Sequence, residues 1–200
     1  MPTSVLFDVG NVIIPWSPRK LYTELFAETH EMDLFLEQVC PMSWHEHHDR
    51  GVPMAVSVPE RIRQFPDYAD FIRAWDERFM DMLGPVVPQT IRLMHALHAK
   101  HVPLYALTNM PADKADQVFA RDPVFTYFKD IIVSGVEGVI KPDPAIYEIT
   151  LKRLGRPADD ILFIDDSAAN IAAARDMGFH THHFSDPDAL EPALIAHGLL

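Results

Sequence analysis

The chain has a single cysteine, Cys40, in 200 residues. It can form no internal disulfide, and a reducing compartment suits it. Cys40 precedes Pro41 with no base near it in sequence, and it reads as a packed thiol rather than a nucleophile. Positive charge is also scarce. Seventeen Lys and Arg stand against 29 Asp and Glu, a formal net charge of −12, which argues against nucleic acid or an anionic membrane as the main partner. An anionic substrate would need local positive charge or a metal to overcome that field. No apolar run is long enough to span a bilayer, and no basic segment followed by an apolar stretch opens the chain. The expected address is the cytoplasm. Repeats and low-complexity segments are missing, and the length suits one core with one substantial insertion.

Apolar β-rich runs alternate with helical stretches from about residue 85, the pattern of a parallel sheet covered on both faces. The spacing predicts strands at Val5–Val9, in VPLYALT, in DIIVS up to Ser134, in ILFIDD and at Phe179–Phe184. Helices are expected over Pro88–Lys100, with Ile91, Met94, Leu97 and His98 inward, then over Ala112–Ala120, Pro144–Leu154, Ala168–Met177 and Ala189–His197. The segment between is different: rich in Trp, His, Met, Phe and Pro, with no buried strand. There Phe71, Trp75, Phe79 and Leu83 recur at four-residue steps, one stripe of a helix. The fold class expected is α/β: a three-layer core with a parallel sheet, from residues 1–16 and 85–200, plus a small α-helical cap over residues 17–84.

Polar residues close the strands, where open α/β sheets bind ligands. Asp8 ends the first strand, Thr108 and Asn109 the second, Ser134 the third, and Asp165 and Asp166 the fourth, with Lys141 shortly after the third. An aspartate in a buried strand is costly without partners. Asp8 and Asp166 with a backbone carbonyl make a hard oxygen site that suits Mg²⁺. Thr108 and Asn109 can donate to phosphate oxygens, and Lys141 supplies the positive charge that carboxylates and phosphate require. An aspartate attacking phosphorus gives an aspartyl-phosphate.

FDVGNVI, LTN, IKPDPAIY and FIDDSAANI, in that order, resemble the four motifs of the haloacid dehalogenase superfamily along nearly the whole chain. The inserted segment resembles the helical cap that many members carry after the first motif. The resemblance implies a Rossmann-like core with Asp8 as nucleophile. It implies Mg²⁺ held by Asp8, Asp166 and the Gly10 carbonyl, with Asp165 binding it directly or through water. Lys141 neutralises the phosphoryl group. The DxG start, the histidines before Asp49-Arg50-Gly51 and the DDSAAN run look most like a bacterial subgroup with sugar-phosphate phosphatases.

One position departs from the pattern. Most phosphatases of the superfamily carry a second aspartate two residues after the nucleophile, as general acid and base, and here that residue is Gly10. Losing such a group costs about 10²–10⁴-fold in rate. Three readings stay open: a phosphatase with another proton donor or an easy leaving group, a 2-haloacid dehalogenase, or a catalytically weak binding protein. Lys141 and Tyr147 match the spacing of a dehalogenase pair, but Asp165-Asp166 imply a metal that dehalogenation does not use. The expected function is a Mg²⁺-dependent phosphatase acting on a small phosphorylated substrate, working as a monomer or homodimer without nucleic acid or membrane partners.

Each residue also has a plainer reading. Asp8 can cap a turn, Asp165-Asp166 can open the helix at Ser167, and Asn170 can be exposed or can support the carboxylates. Gly10, Asn11 and His48 are further candidates for contacting substrate. For His45, His47 and His48 a solvated cap surface is the default. The sharper alternative has one of them facing the site and selecting substrate or replacing the acid.

Overall fold

The computed structural model describes residues 1–200. The chain begins with strand β1 (Ser4–Phe7) and then leaves the sheet for five helices: α1 (Pro18–Leu25), α2 (Thr29–Leu34), α3 (Met42–Asp49), α4 (Met54–Gln64) and α5 (Ala69–Glu77). It returns through α6 (Pro88–Ala99), β2 (Leu104–Thr108), α7 (Ala115–Phe119), β3 (Phe128–Val133), α8 (Ser134–Glu137), α9 (Pro144–Leu154), β4 (Ile161–Asp165), α10 (Ala168–Asp176), β5 (His180–His183) and α11 (Leu190–Ala196). The five strands form one parallel sheet in the order β3-β2-β1-β4-β5. No helix is long and apolar enough to cross a membrane.

The central strands are buried at every position because both faces are covered, as parallel sheets require. Alternation sorts their side chains. Val5, Phe7, Leu162 and Ile164 join one buried cluster, while Leu6, Ile161 and Phe163 join a second one on the opposite face with Tyr105, Leu107, Ile146 and Tyr147. The first cluster does not stop at the sheet. It runs on through Ile13 and Ile14 into Leu21, Tyr22, Phe35, Trp44, Ile72 and Trp75 of the inserted helices. The two chain crossings between sheet and insertion are hydrogen-bonded to each other, Gly84 N–H to the Pro15 carbonyl (2.7 Å) and Ser17 N–H to the Met82 carbonyl (3.0 Å).

Local chemistry sets the helix ends nearest the sheet edge. The Asp143 carboxylate accepts from Ala145 N–H at the start of α9, with Pro144 in the first turn, and Gly155 ends that helix at φ +61°. Two expected stripes come out differently. Helix α5 ends at Arg78, and Phe79–Met82 form a 3₁₀ turn, so Phe79 and Leu83 are buried without continuing the helix of Phe71 and Trp75. On α6 the buried face is Leu93, Met94 and Leu97. His98 instead lies exposed, stacked on the Tyr127 ring at 4.0 Å. Ala112 to Lys114 form turns rather than helix, because Gly135 packs against the backbone there.

That contact has a testable weight. A Cβ on Gly135 would lie 2.5 Å from the Ala112 nitrogen and 2.7 Å from the Met110 carbonyl oxygen, and backbone cannot yield as a flexible side chain can. Gly135→Ala is expected to cost roughly 1–3 kcal/mol, as overpacked sites do. Urea denaturation should show the loss with an unchanged m-value, while Gly155→Ala, with open space around its Cβ position, bears only the strain of its positive φ.

Candidate active site

Asp8 reaches the sheet edge because of how β1 ends. Phe7 pairs with Ala106 and with Ile164, and the ladder continues one step further, with Asp8 N–H donating to the Ile164 carbonyl (2.8 Å). The register sets Asp8 beside Asp165 at the C-terminal edge. Strand order reverses at this point, since β2 and β3 lie on one side of β1 and β4 and β5 on the other.

Lys141 comes from the loop before α9 and is 2% exposed. Its ammonium donates to Asp165 Oδ2 (2.6 Å) and the Leu107 carbonyl (3.0 Å) and forms an ion pair with Asp8 Oδ1 (3.0 Å). Burial alone would lower its pKa, but Asp8 and Asp165 outweigh that and hold it above the usual lysine range. Burial pushes Asp8 the other way, up to about 8, opposed by Lys141 and reinforced by Asp165 and Asp166. Carboxylate oxygens of Asp8, Asp165 and Asp166 lie within 4.8 Å of one another. Three carboxylates thus face one ammonium. A hard divalent cation with oxygen ligands fits this donor set and its excess negative charge.

The surrounding residues divide into those that face the cavity above the sheet edge and those that hold the others in place. The cavity has a volume of about 350 Å³, and its wall includes Asp8, Gly10, Asn11, Thr108, Asn109, Lys141 and Asp166. Thr108 is buried and its hydroxyl makes no hydrogen bond within the protein. Asn109 is largely committed elsewhere. Its side-chain oxygen accepts from Lys141 N–H (2.9 Å) and its amide donates to the Lys141 carbonyl (3.0 Å), so it clamps the lysine's backbone. Asn11, with φ +56°, donates from its amide to Asp166 Oδ2 (3.1 Å) and accepts from Trp16 N–H (3.1 Å). Asparagine tolerates that left-handed conformation, and its side chain braces a carboxylate at the cavity wall.

Asp165 is fully buried and has no free acceptor position. Oδ1 accepts from Ser167 N–H (2.8 Å) and the Asn170 amide (3.0 Å), and Oδ2 accepts from Lys141 and from Asn170 (3.1 Å). In this arrangement it orients Lys141, and its carboxylate remains one of the three clustered at the strand ends. Asn170 is buried support for Asp165, and Ser167 caps α10. Ser134 accepts from Met110 N–H (3.0 Å) and fixes the loop after β2. Tyr147 is buried on the far face, where its hydroxyl donates to the Asn170 carbonyl (3.0 Å), so it offers nothing to a ligand in the cavity.

Of the cap histidines His47 is exposed as expected, but the other two are not a solvated surface. His45 and His48 are 4% and 1% exposed. His48 as a substrate contact is corrected: it lies outside the cavity wall, bonded through Nε2 to Ser57 Oγ and set edge-on to Trp44. His45 takes the place on the wall. Its ring stacks on Trp16 (4.7 Å), and its Nδ1 accepts from Trp75 Nε1 (3.3 Å). Burial lowers its pKa to about 3, so the ring is neutral. Met42, Trp16, Phe79 and Leu83 add an apolar surface. The helix of the histidines is eight residues long with only Met42 and Trp44 apolar, so hydrophobic periodicity could not reveal its inward face. The one available signal was the i, i+4 pairing of His45 with Asp49 beside Trp44.

A protein-family model described as haloacid dehalogenase-like hydrolase matches residues 3–178. The sesquiterpene phosphatase astK of Aspergillus oryzae is 26% identical over 191 residues, spanning 92% of this chain and 90% of its own length. Among solved structures, the wild-type HAD family enzyme bt-2542 of Bacteroides thetaiotaomicron, in complex with magnesium and inorganic phosphate, superposes with a TM-score of 0.71. It is 18% identical, over 95% of this chain and 99% of that one. The L-2-haloacid dehalogenase of Xanthobacter autotrophicus superposes with a TM-score of 0.66 and 17% identity, over 100% of this chain and 85% of that one. At those identities the two structures share the fold. With the family model covering nearly nine-tenths of the sequence, and Asp8, Lys141 and Asp166 meeting at one sheet edge, the chain belongs to the haloacid dehalogenase-like hydrolases.

Proposed function

We propose that this hydrolase is a Mg²⁺-dependent phosphatase that cleaves small phosphorylated metabolites through an aspartyl-phosphate on Asp8. The observation that carries the reading is the charge balance at the strand ends, where three carboxylates surround one buried ammonium and every donor is a hard oxygen. A relative named as a phosphatase and aligned over most of its length supports phosphoryl chemistry. The position of Tyr147, tied to Asn170 away from the cavity, weighs against the dehalogenase reading.

Lys141 and Val9 N–H (2.6 Å) both hold Asp8 Oδ1, which leaves Oδ2 to attack phosphorus. The ester P–O bond breaks and its electron pair leaves with the organic oxygen. Water then attacks the aspartyl-phosphate, which releases inorganic phosphate and restores the carboxylate. Thr108 donates its free hydroxyl to a phosphoryl oxygen, and Lys141 offsets the charge. Asp8, Asp166 and the Gly10 carbonyl are the groups to hold Mg²⁺, which when bound reduces the repulsion between nucleophile and phosphoryl group.

Sugar phosphates remain one substrate class for this site. The apolar wall of Trp16, Met42, Phe79 and Leu83 favours an apolar organic part as a second. The test is phosphate release from p-nitrophenyl phosphate and from panels of sugar and prenyl phosphates, with Mg²⁺ or with chelator, beside halide release from 2-haloacids. Phosphate release that disappears with chelator is the expected result. Metal-free halide release would replace the reading with dehalogenation, and no product of either kind would leave a binding protein.

A further inference from the structure

The phosphatase reading lacks a proton donor, because Gly10 has no side chain where the superfamily's second aspartate stands. The chemistry still requires one. An alkoxide is a poor leaving group, and in an in-line displacement it departs on the side of phosphorus opposite the nucleophile. Asp8 lies on the sheet side of the cavity, so the leaving oxygen points toward the cap.

The ionisable side chains on the cavity wall are Asp8, Asp166, Lys141, His45, Glu46 and Asp49. Asp8 is the nucleophile and Asp166 is braced by Asn11. Lys141 is held by Asp8, Asp165 and the Leu107 carbonyl, and those carboxylates keep its proton bound. His45 accepts from Trp75 at Nδ1, so its one proton is on Nε2 of a neutral ring, and a neutral imidazole N–H is a very weak acid. Glu46 is exposed.

Asp49 is different. It is 6% exposed and lies on the cap-side wall, yet neither of its carboxyl oxygens has a hydrogen-bond partner. Oδ1 is sealed from solvent, and its neighbour His45 Nε2 is 3.6 Å away, beyond hydrogen-bond reach. A buried carboxyl without partners is costly, and such groups gather where function needs them.

Resting on the phosphatase reading, we propose that Asp49 is the general acid and base of this site, giving its proton to the leaving oxygen and then taking one from the attacking water. In the first step Asp8 Oδ2 bonds to phosphorus, the ester P–O bond breaks, and the organic oxygen receives the Asp49 proton as it leaves. In the second, Asp49, now a carboxylate, accepts a proton from the water whose oxygen bonds to phosphorus. The bond to Asp8 breaks, and phosphate departs. Burial raises Asp49 to about 7, with Glu46 adding to the shift and Lys141 opposing it, so acid and base forms are both populated near neutrality.

The test separates this role from a structural one by the leaving group. p-Nitrophenolate departs without a proton, whereas a primary alkoxide does not. On the full chain with Mg²⁺, Asp49→Asn is expected to lower kcat/KM for a primary alkyl phosphate by about 10²–10³-fold, and for p-nitrophenyl phosphate by much less. Gly10→Asp in the Asp49→Asn chain should then restore part of the alkyl phosphate activity, since nothing lies within 4 Å of a Cβ at Gly10. Asp49→Ser serves in place of Asp49→Asn if the latter does not fold. Equal losses on both substrates, or the same selective loss from Glu46→Gln with Asp49→Asn unaffected, would overturn the assignment while leaving the phosphatase reading intact. A wild-type chain that releases phosphate from neither substrate removes that reading and the assignment with it.

Discussion

Asp8→Asn is expected to abolish phosphate release, by on the order of 10⁴-fold or more as for other nucleophile replacements, without lowering the stability of the chain. The two results must come together, because Asp8 could also be read as a capping residue. The sign of the stability effect follows from burial. Folded Asp8 titrates near 8, against an ordinary value of 3.8. Its ionisation therefore opposes folding, with no effect below about pH 4 and a growing penalty as pH rises toward 8. Asparagine keeps the shape and never ionises, while Lys141 retains Asp165 and the Leu107 carbonyl as partners. Thermal melts in chelator should show the variant as stable as wild type or more so, with the advantage widening from pH 5 to pH 8. Retained activity would end the nucleophile assignment. Lost stability at full activity would make Asp8 a cap.

Lys141→Met has the opposite signature and harms both properties. It removes the one positive charge that Asp8 and Asp165 share, and both carboxylates are buried. Breaking a buried ion pair from one side costs about 3–5 kcal/mol, a fall in Tm on the order of 10 °C for a chain of this size. Without the ammonium, Asp165 is a fully buried carboxyl with no cation beside it, so its charged form is costly. The added penalty is therefore absent at low pH and grows through neutrality. Urea denaturation at pH 5 and pH 8 should show the larger deficit at pH 8, and Asp165→Asn in the same chain should recover part of it. A pH-independent deficit would mean that lost packing, rather than unpaired charge, dominates.

The strands and the residues that close them were legible because both signals are short-range. A parallel strand covered on both faces is an apolar run, and a carboxylate at its end stands out against it. The helices α9 and α10 were marked by Pro144, Gly155 and Ser167, each acting within its own turn. What could not be read was direction. Sequence placed Asp165, Asn109 and Asn11 near the site but did not show that their polar atoms are spent on Lys141 and Asp166, since that depends on which lone pairs the fold fills. The choice between His45 and His48 failed for a related reason. Successive turns of a short polar helix differ only in which residue meets Trp75, and that tryptophan comes from an element thirty residues further along. The stripe from Phe71 to Leu83 kept its period, but the helix beneath it ended at Arg78, where no glycine or proline marks the stop.

The apolar cluster that runs unbroken from the sheet into the cap helices has a calorimetric consequence. Two bodies with separate cores can melt separately, whereas here Tyr22, Phe35 and Trp75 share their burial with Phe7 and Ile164. Heating cannot melt the cap without exposing part of the sheet's own interior. A scan of the intact chain should therefore give one heat-absorption peak whose van't Hoff and calorimetric enthalpies agree, and the excised cap, left without half of its interior, should not fold by itself.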